Sequence, residues 1–164
     1  MTAQAGYNLT SSDGTDPQFG VGDRINVCGA EYVYCLATAA TIAANSACSG
    51  ASPAVMEEAT TTTATALGTA GGLGVIPQFA VGASEYFWGA AGPFYLREDG
   101  VTTFKVLAAN VTGGALLYST ATDGVLDDTS AGSTIPLYGL TLTETVTTQE
   151  AADCRSWMPL SWKV

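Results

Sequence analysis

Histidine is absent from this 164-residue chain, and Lys and Arg together number only five. The first absence removes the side chain on which most proton-shuttling and metal-assisted mechanisms rely near neutral pH. No imidazole stands ready to activate a serine or cysteine, and no Gly-x-Ser-x-Gly occurs. The scarcity of bases removes the positive footprint that nucleic acid or an anionic lipid surface requires. No apolar run approaches the roughly 20 residues of a membrane-spanning helix. Met1 to Gly6 is neither basic nor apolar, so no secretory signal is expected, and folding in a cytoplasm is. These absences lead us to expect no enzyme, no cofactor, no metal, no nucleic acid and no membrane.

What is present is acidic and small-residued. The net charge is −10, from carboxylates scattered as singles and short runs such as Glu57-Glu58, Glu98-Asp99 and Asp127-Asp128. Neighbours on a strand point to opposite faces, so such pairs are read as solvated loop acids rather than acid–base dyads. Asp123 to Asp128 lacks the spacing of a calcium loop and is read as a turn. Cys28, Cys35, Cys48 and Cys154 follow no zinc pattern, and free buried thiols are the expected state. The two sequons, Asn8-Leu9-Thr10 and Asn110-Val111-Thr112, are read as chance matches.

Residues 1–19 are polar and read as an extended arm; residues 20–164 read as a single β-rich domain. The 47% hydrophobic content is enough for an ordered core. Arg24–Val27 and Tyr32–Leu36 flank Gly29-Ala30 as a hairpin. Ser52-Pro53 followed by acids suits the start of a helix of one or two turns. Gly68 to Gly74 reads as a connector, with a strand over Val75–Ala80. The aromatic-rich stretches 85–88 and 94–97 read as a second hairpin around Gly89–Pro93, their rings mostly cross-strand pairs. After Pro136 the alternation puts Tyr138, Leu140, Leu142 and Val146 on one face. Trp157, Leu160 and Trp162 belong to a closing strand. Ala40–Ala44 echoes Ala109–Gly113, a hint of a repeated β-unit too short to define a period. The expected fold is all-β: a small β-barrel or β-sandwich of short antiparallel strands with an extended N-terminal arm.

The order of these segments resembles a known family. Glu31-Tyr32-Val33-Tyr34 precedes an Ala-rich stretch; then come Gly74-Val75-Ile76, Glu85-Tyr86-Phe87-Trp88 and Gly92-Pro93. Leu107 to Tyr118, Asp123 to Thr129 and Gly139-Leu140 follow. This pattern, over roughly residues 20–164, is similar to the capsid decoration (head-stabilising, cement) proteins of tailed bacteriophages. The resemblance implies a structural protein on the capsid exterior, made in the host cytoplasm and binding the major capsid protein. It also implies a homotrimer at three-fold or quasi-three-fold positions. Contact residues expected on this reading are Tyr7, Leu9 and Phe19 of the arm and Tyr86, Trp88 and Tyr95 of the aromatic cluster. Deleting residues 1–19 is expected to weaken shell binding while leaving the domain folded. The alternatives are another virion component (tail, head-completion or fibre-associated) and a carbohydrate-binding β-module that uses the aromatic cluster.

Overall fold

A computed structural model describes residues 7–38, 40–60, 72–94, 103–105, 110–148 and 151–162. It is all-β, and among the described residues there is no helix. The strands are β1 (Arg24–Val27), β2 (Ala30–Leu36), β3 (Cys48–Gly50), β4 (Glu57–Glu58), β5 (Gly72–Val75) and β6 (Tyr86–Ala90), then β7 (Thr103–Lys105), β8 (Leu117–Ser119), β9 (Leu126–Asp127), β10 (Pro136–Leu142) and β11 (Ala151–Trp162). One sheet has the order β1-β2-β6; the larger, curled sheet runs β4-β3-β5-β11-β10-β8-β9, with β7 also paired to β11. The β1–β2 hairpin closes through Cys28 and Gly29, both left-handed (φ 55° and 87°), the turn whose twist matches its strands.

The short echo in the sequence is the visible part of an internal duplication. Apart from β1, the strands form two sets of five with the same pairings. β2 pairs β6 as β7 pairs β11; β3 pairs β4 and β5 as β8 pairs β9 and β10. One constant shift along the chain takes Cys35 to Phe104, Ile42 to Val111, Cys48–Gly50 to Leu117–Ser119 and Glu57–Glu58 to Leu126–Asp127. A slightly shorter shift takes Val81 to Val146 and Phe87 to Ala152. The isolated bridge Ile42–Val81 thus recurs as Val111–Val146, and the pair Cys35–Phe87 recurs as Phe104–Ala152. In both of those strand pairs one member is Phe and the other small, on opposite strands, so local volume is kept while sequence identity is lost.

The turns repeat as well. Asn45, Ser84 and Gly114 each lie three residues beyond a bridge residue and are left-handed (φ 62°, 59° and 81°). Their N–H groups donate to the carbonyls of Pro77, Thr38 and Leu142, each four residues before the opposite bridge residue. Asn, Ser and Gly share little as letters but all tolerate or locally support this conformation. The interior divides into two clusters, the first confined to the first half and the second drawing Ala47, Ala59, Ile76 and Ala90 of the first half in beside the second-half residues. Val33, Cys35, Ile42, Cys48, Met56, Val75, Val81 and Phe87 pack together in the first. Phe104, Val111, Leu117, Leu126, Leu137, Leu140, Leu160 and Trp162 anchor the other.

Four local expectations are corrected. Residues 52–59 form a turn and then β4. Met56 N–H donates to Leu36, and Glu57 and Glu58 pair with Ser49 and Cys48, so the sheet takes the backbone groups a helix would use. β5 spans Gly72–Val75 and ends before Pro77; Gly74 lets it approach β11, since a Cβ there would lie 3.0 Å from Leu160 Cβ. β6 pairs with β2 rather than with a strand at 94–97: Phe94 bridges Ser156 across the cis Gly92–Pro93 peptide, and residues 95–97 lie outside the described residues. In β10, Tyr138 faces outward while Leu137, Leu140 and Leu142 are buried. A bulge at Gly139 (φ 91°) shifts the alternation, and a Cβ at this residue would sit 2.9 Å from the Met158 carbonyl.

No disulfide joins the four cysteines: Cys35, Cys48 and Cys154 are buried and Cys28 is exposed at its hairpin tip. Burial raises the pKa of all three interior thiols. Under native conditions a maleimide is therefore expected to label Cys28 alone, and all four after unfolding; intact-mass spectrometry counts the adducts. Rapid native labelling of more than one site contradicts this placement.

Candidate interaction surface

The sequence predicts an N-terminal arm that reaches for a partner. Residues 7–19 lie instead on the β2–β6 face. Tyr7 stacks on Phe19 at 5.2 Å and sets its edge on Trp88 at 5.5 Å. Phe19 in turn packs on Tyr34 and Trp88 at 5.4 and 5.2 Å. Tyr34 hydroxyl donates to Asp13 and accepts from Gln18 N–H. Asp13 N–H and the Gly14 carbonyl bond the backbone of Tyr86. Burial pushes the Tyr34 hydroxyl up to about 12, so it stays a donor throughout the physiological range.

Of the expected contact residues, Tyr7 is exposed, and Leu9, Phe19 and Tyr86 are half-buried. Trp88 is interior, at 1% exposure, beneath Tyr7 and Phe19. Tyr95 lies outside the described residues. The structure therefore brings Tyr7, Phe19, Tyr86 and Trp88 into one cluster with Tyr34, as a packed layer whose rings cover one another. Leu9 is not among the ring contacts.

A second surface was missed in the sequence. Tyr138 pairs with Ser161 and Leu140 with Ser156, so Trp157 to Leu160 oppose Gly139 alone. The excess chain swells out as a wide bulge. Ser156 Oγ donates to the Met158 carbonyl (2.6 Å), and Leu160 N–H to the Ala91 carbonyl (2.7 Å), so the bulge is tied at its base. Leu160 turns inward. Trp157 (56% exposed), Met158 (40%) and the facing Tyr138 (38%) turn out as an apolar ridge. The available signal was Trp157-Met158-Pro159: consecutive apolar residues break alternation, and Pro159 has no N–H for a ladder.

Glu58 and Asp128, from pairs expected to be solvated loop acids, hold backbone, and so does Glu85. Glu58 accepts from Ala43 N–H and Ser46 Oγ, Glu85 from Gly82 N–H and Ser12 Oγ, and Asp128 from Thr112 N–H. Ala43, Gly82 and Thr112 each follow a bridge residue, so this device is part of the repeat. Hydrogen bonds lower the pKa of Glu85 (Ser12 first, then Gly82) and of Asp128 (Thr112). A carboxylate depressed in the folded state stabilises fully above its unfolded pKa, and that contribution is lost as pH falls through the lower folded value. Thermal stability is thus expected to hold from neutrality to about pH 5 and to fall below it. Glu85→Gln should lower the melting temperature at neutral pH and converge on the parent in acid. Parallel curves at every pH would contradict this role.

Beside the first bridge lies an open hollow of about 430 Å³, lined by Thr41, Ile42, Ala43, Glu58, Ala80, Val81 and Gly82. Apart from the Glu58 carboxylate and the Thr41 hydroxyl its side chains are aliphatic or absent. Among the described residues no group of three or more Cys, Asp or Glu is placed to hold a metal.

No family model, curated protein or solved structure matches this chain. The functional reading therefore rests on the surface itself. It combines a net charge of −10, carboxylates engaged in holding turns, and, among the described residues, an apolar ridge carried on a bulge that two hydrogen bonds tie at its base.

Proposed function

We propose that this chain is a structural virion protein that binds the outer surface of a phage capsid shell and stabilises it. Its partners on this reading are the major capsid protein and further copies of itself, as a homotrimer at three-fold or quasi-three-fold positions. It performs no reaction. The observation that carries the reading is the apolar ridge of Tyr138, Trp157 and Met158 on a chain of net charge −10. An exposed apolar knob is where association energy concentrates, and the acidic remainder keeps unassembled copies apart and soluble. Repetition around a symmetric shell turns modest contacts into firm attachment. The Trp88 ring, which a sugar platform would need free, lies under Tyr7 and Phe19.

The test is the copy number of the chain in purified particles, by quantitative mass spectrometry against the major capsid protein. It is paired with co-sedimentation of the purified protein with undecorated shells. Copies comparable to the capsid protein and saturable co-sedimentation support decoration. A few copies per particle place the chain in the tail or at the portal, and its absence from particles overturns the reading.

A further inference from the structure

We infer that the outer edge of β1 pairs with β1 of a second copy of this chain, antiparallel across a two-fold axis, joining the two β1-β2-β6 sheets into one. This goes beyond the proposed function and does not rest on it. The groups that would pair follow from the β1–β2 ladder. Tyr34 N–H donates to the Asp23 carbonyl, so Asp23 and Tyr34 are a hydrogen-bonded pair. Alternation makes Ile25–Tyr32 and Val27–Ala30 the next such pairs. The N–H and C=O groups of Arg24 and Asn26 therefore point away from β2. Both residues are exposed, and among the described residues nothing bonds these backbone groups.

Other edges of the molecule are closed. The Gln78 amide bonds both the N–H and the carbonyl of Thr103 in β7, and the Asn45 carbonyl takes Lys105 N–H. Asp13 N–H and the Gly14 carbonyl occupy Tyr86 in β6. Met56, beside β4, donates to Leu36 and accepts from Thr38. β9 is two residues long and carries Asp127. Natural sheets block, shorten or charge edges that must not pair. β1 has four residues, with neither proline nor carboxylate among them, and it lies outside the internal duplication.

The edge is self-complementary in one register. Arg24 opposite Asn26 of the second copy, with Ile25 facing its own counterpart on the axis, uses all the outward groups in four hydrogen bonds. A slip of two residues either way would bring Gly22 or Cys28, both left-handed (φ 97° and 55°), into the ladder and lose bonds. Charge favours the same place. Arg24 to Ala30 holds no carboxylate, although the chain has 15. The flanking acids are engaged: Asp23 accepts from Gly20 N–H, and Glu31 pairs with Arg24. Two copies of net charge −10 thus meet where repulsion is least, and each Arg24 faces a neutral Asn26. The contact is isologous and closes on itself as a pair. Where copies also meet at three-fold positions, it ties one trimer to the next.

The test is sedimentation velocity on the full chain from micromolar to millimolar concentration, with the parent, Arg24→Pro and Arg24→Ala. Proline fits an edge strand where its missing N–H would face solvent, so Arg24→Pro spares the single copy and removes two of the four bonds. Arg24→Ala loses the ion pair and keeps the N–H. Circular dichroism and melting temperature show that each variant folds. The parent is expected to pair reversibly, the proline variant at least about ten-fold more weakly, and the alanine variant within about three-fold of the parent. Register is read separately by oxidation, without the proline. In a Cys28→Ser background, Ile25→Cys should crosslink to its counterpart, since facing Cα atoms at such a pair lie about 4.5 Å apart. Cys28 in the parent, which this register places at opposite ends of the contact, should not. A parent that stays monomeric at millimolar concentration, a proline variant that pairs like it, or an alanine variant weakened as much as the proline one each overturns the inference. Crosslinking by Ile25→Cys no better than by Cys28 does so too. Parent trimers that assemble no further, and that Arg24→Pro leaves unchanged, overturn it while sparing the three-fold contact.

Discussion

Trp162→Ala should be among the most damaging single substitutions, at about 3–5 kcal/mol. That is a large share of the ~5–15 kcal/mol by which domains are stable. Trp162 is 1% exposed in the second-half core, and its indole N–H donates to the Cys48 carbonyl in β3 at 3.0 Å. The same residue pairs with Leu137 on one side and Gly72 on the other, so β11 ends by joining the two halves. Truncation leaves a cavity and a buried carbonyl without its donor, and these costs accumulate. Trp162→Phe keeps most of the apolar volume and loses the donor, for about 1–3 kcal/mol. Trp157→Ala, at an exposed site, should stay within about 0.5 kcal/mol of the parent. Guanidinium unfolding of the three variants checks the ordering. If Trp157→Ala costs as much as Trp162→Ala, the assignment of interior and ridge is reversed.

How much of this was legible in the sequence depends on which interaction decided each segment. β1 and β2 were readable because β-branched and aromatic runs meet at a turn fixed by local chemistry, Cys28-Gly29. The all-β class followed from many short strand-like runs between closely spaced turns and almost no helical pattern. The residues after Ser52 misled because capping residues are equally at home in a turn, and the partner that settles the matter, Leu36, is distant in sequence. Tyr138 misled because one residue at the Gly139 bulge reverses the faces of everything before it. The duplication was almost hidden. Its halves retain pairings, left-handed turn positions and a carboxylate on the backbone after each first bridge residue, but they exchange large and small core residues, and that carboxylate moves from Glu58 to Asp128, one residue past the equivalent of Glu58. Only Ala40–Ala44 and Ala109–Gly113, around Ile42 and Val111, stayed alike enough to be seen. Hydrophobicity does not tell Trp157 from Trp162 on the same strand; only the break in alternation at Trp157-Met158-Pro159 marks the exposed one.

Phe19→Ala carries the second large effect and decides what the N-terminal segment is. Its ring contacts Tyr7, Tyr34 and Trp88 together, so its loss takes cover from all three. Removing a half-buried aromatic of this kind costs about 2 kcal/mol. Deleting residues 1–19 costs more, since it also strips Asp13 and Gln18 from the Tyr34 hydroxyl and opens the hydrogen bonds to the Tyr86 backbone. A compensation of known sign exists: Trp88 Nε1 is buried with no hydrogen-bond partner among the described residues, and water would satisfy it once uncovered. The apolar loss outweighs this, because Tyr34 and Trp88 both become wet. The expectation that the domain ignores loss of its arm is therefore replaced by a different one. The deletion should red-shift tryptophan emission, lower the melting temperature, and leave the second-half core folded at low temperature. Shell binding by the deletion variant must then be measured below its own melting point, or instability will pass for a missing contact. An unchanged emission maximum would mean that the segment does not cover Trp88 in solution, and would return Tyr7 and Phe19 to the role of free contact residues.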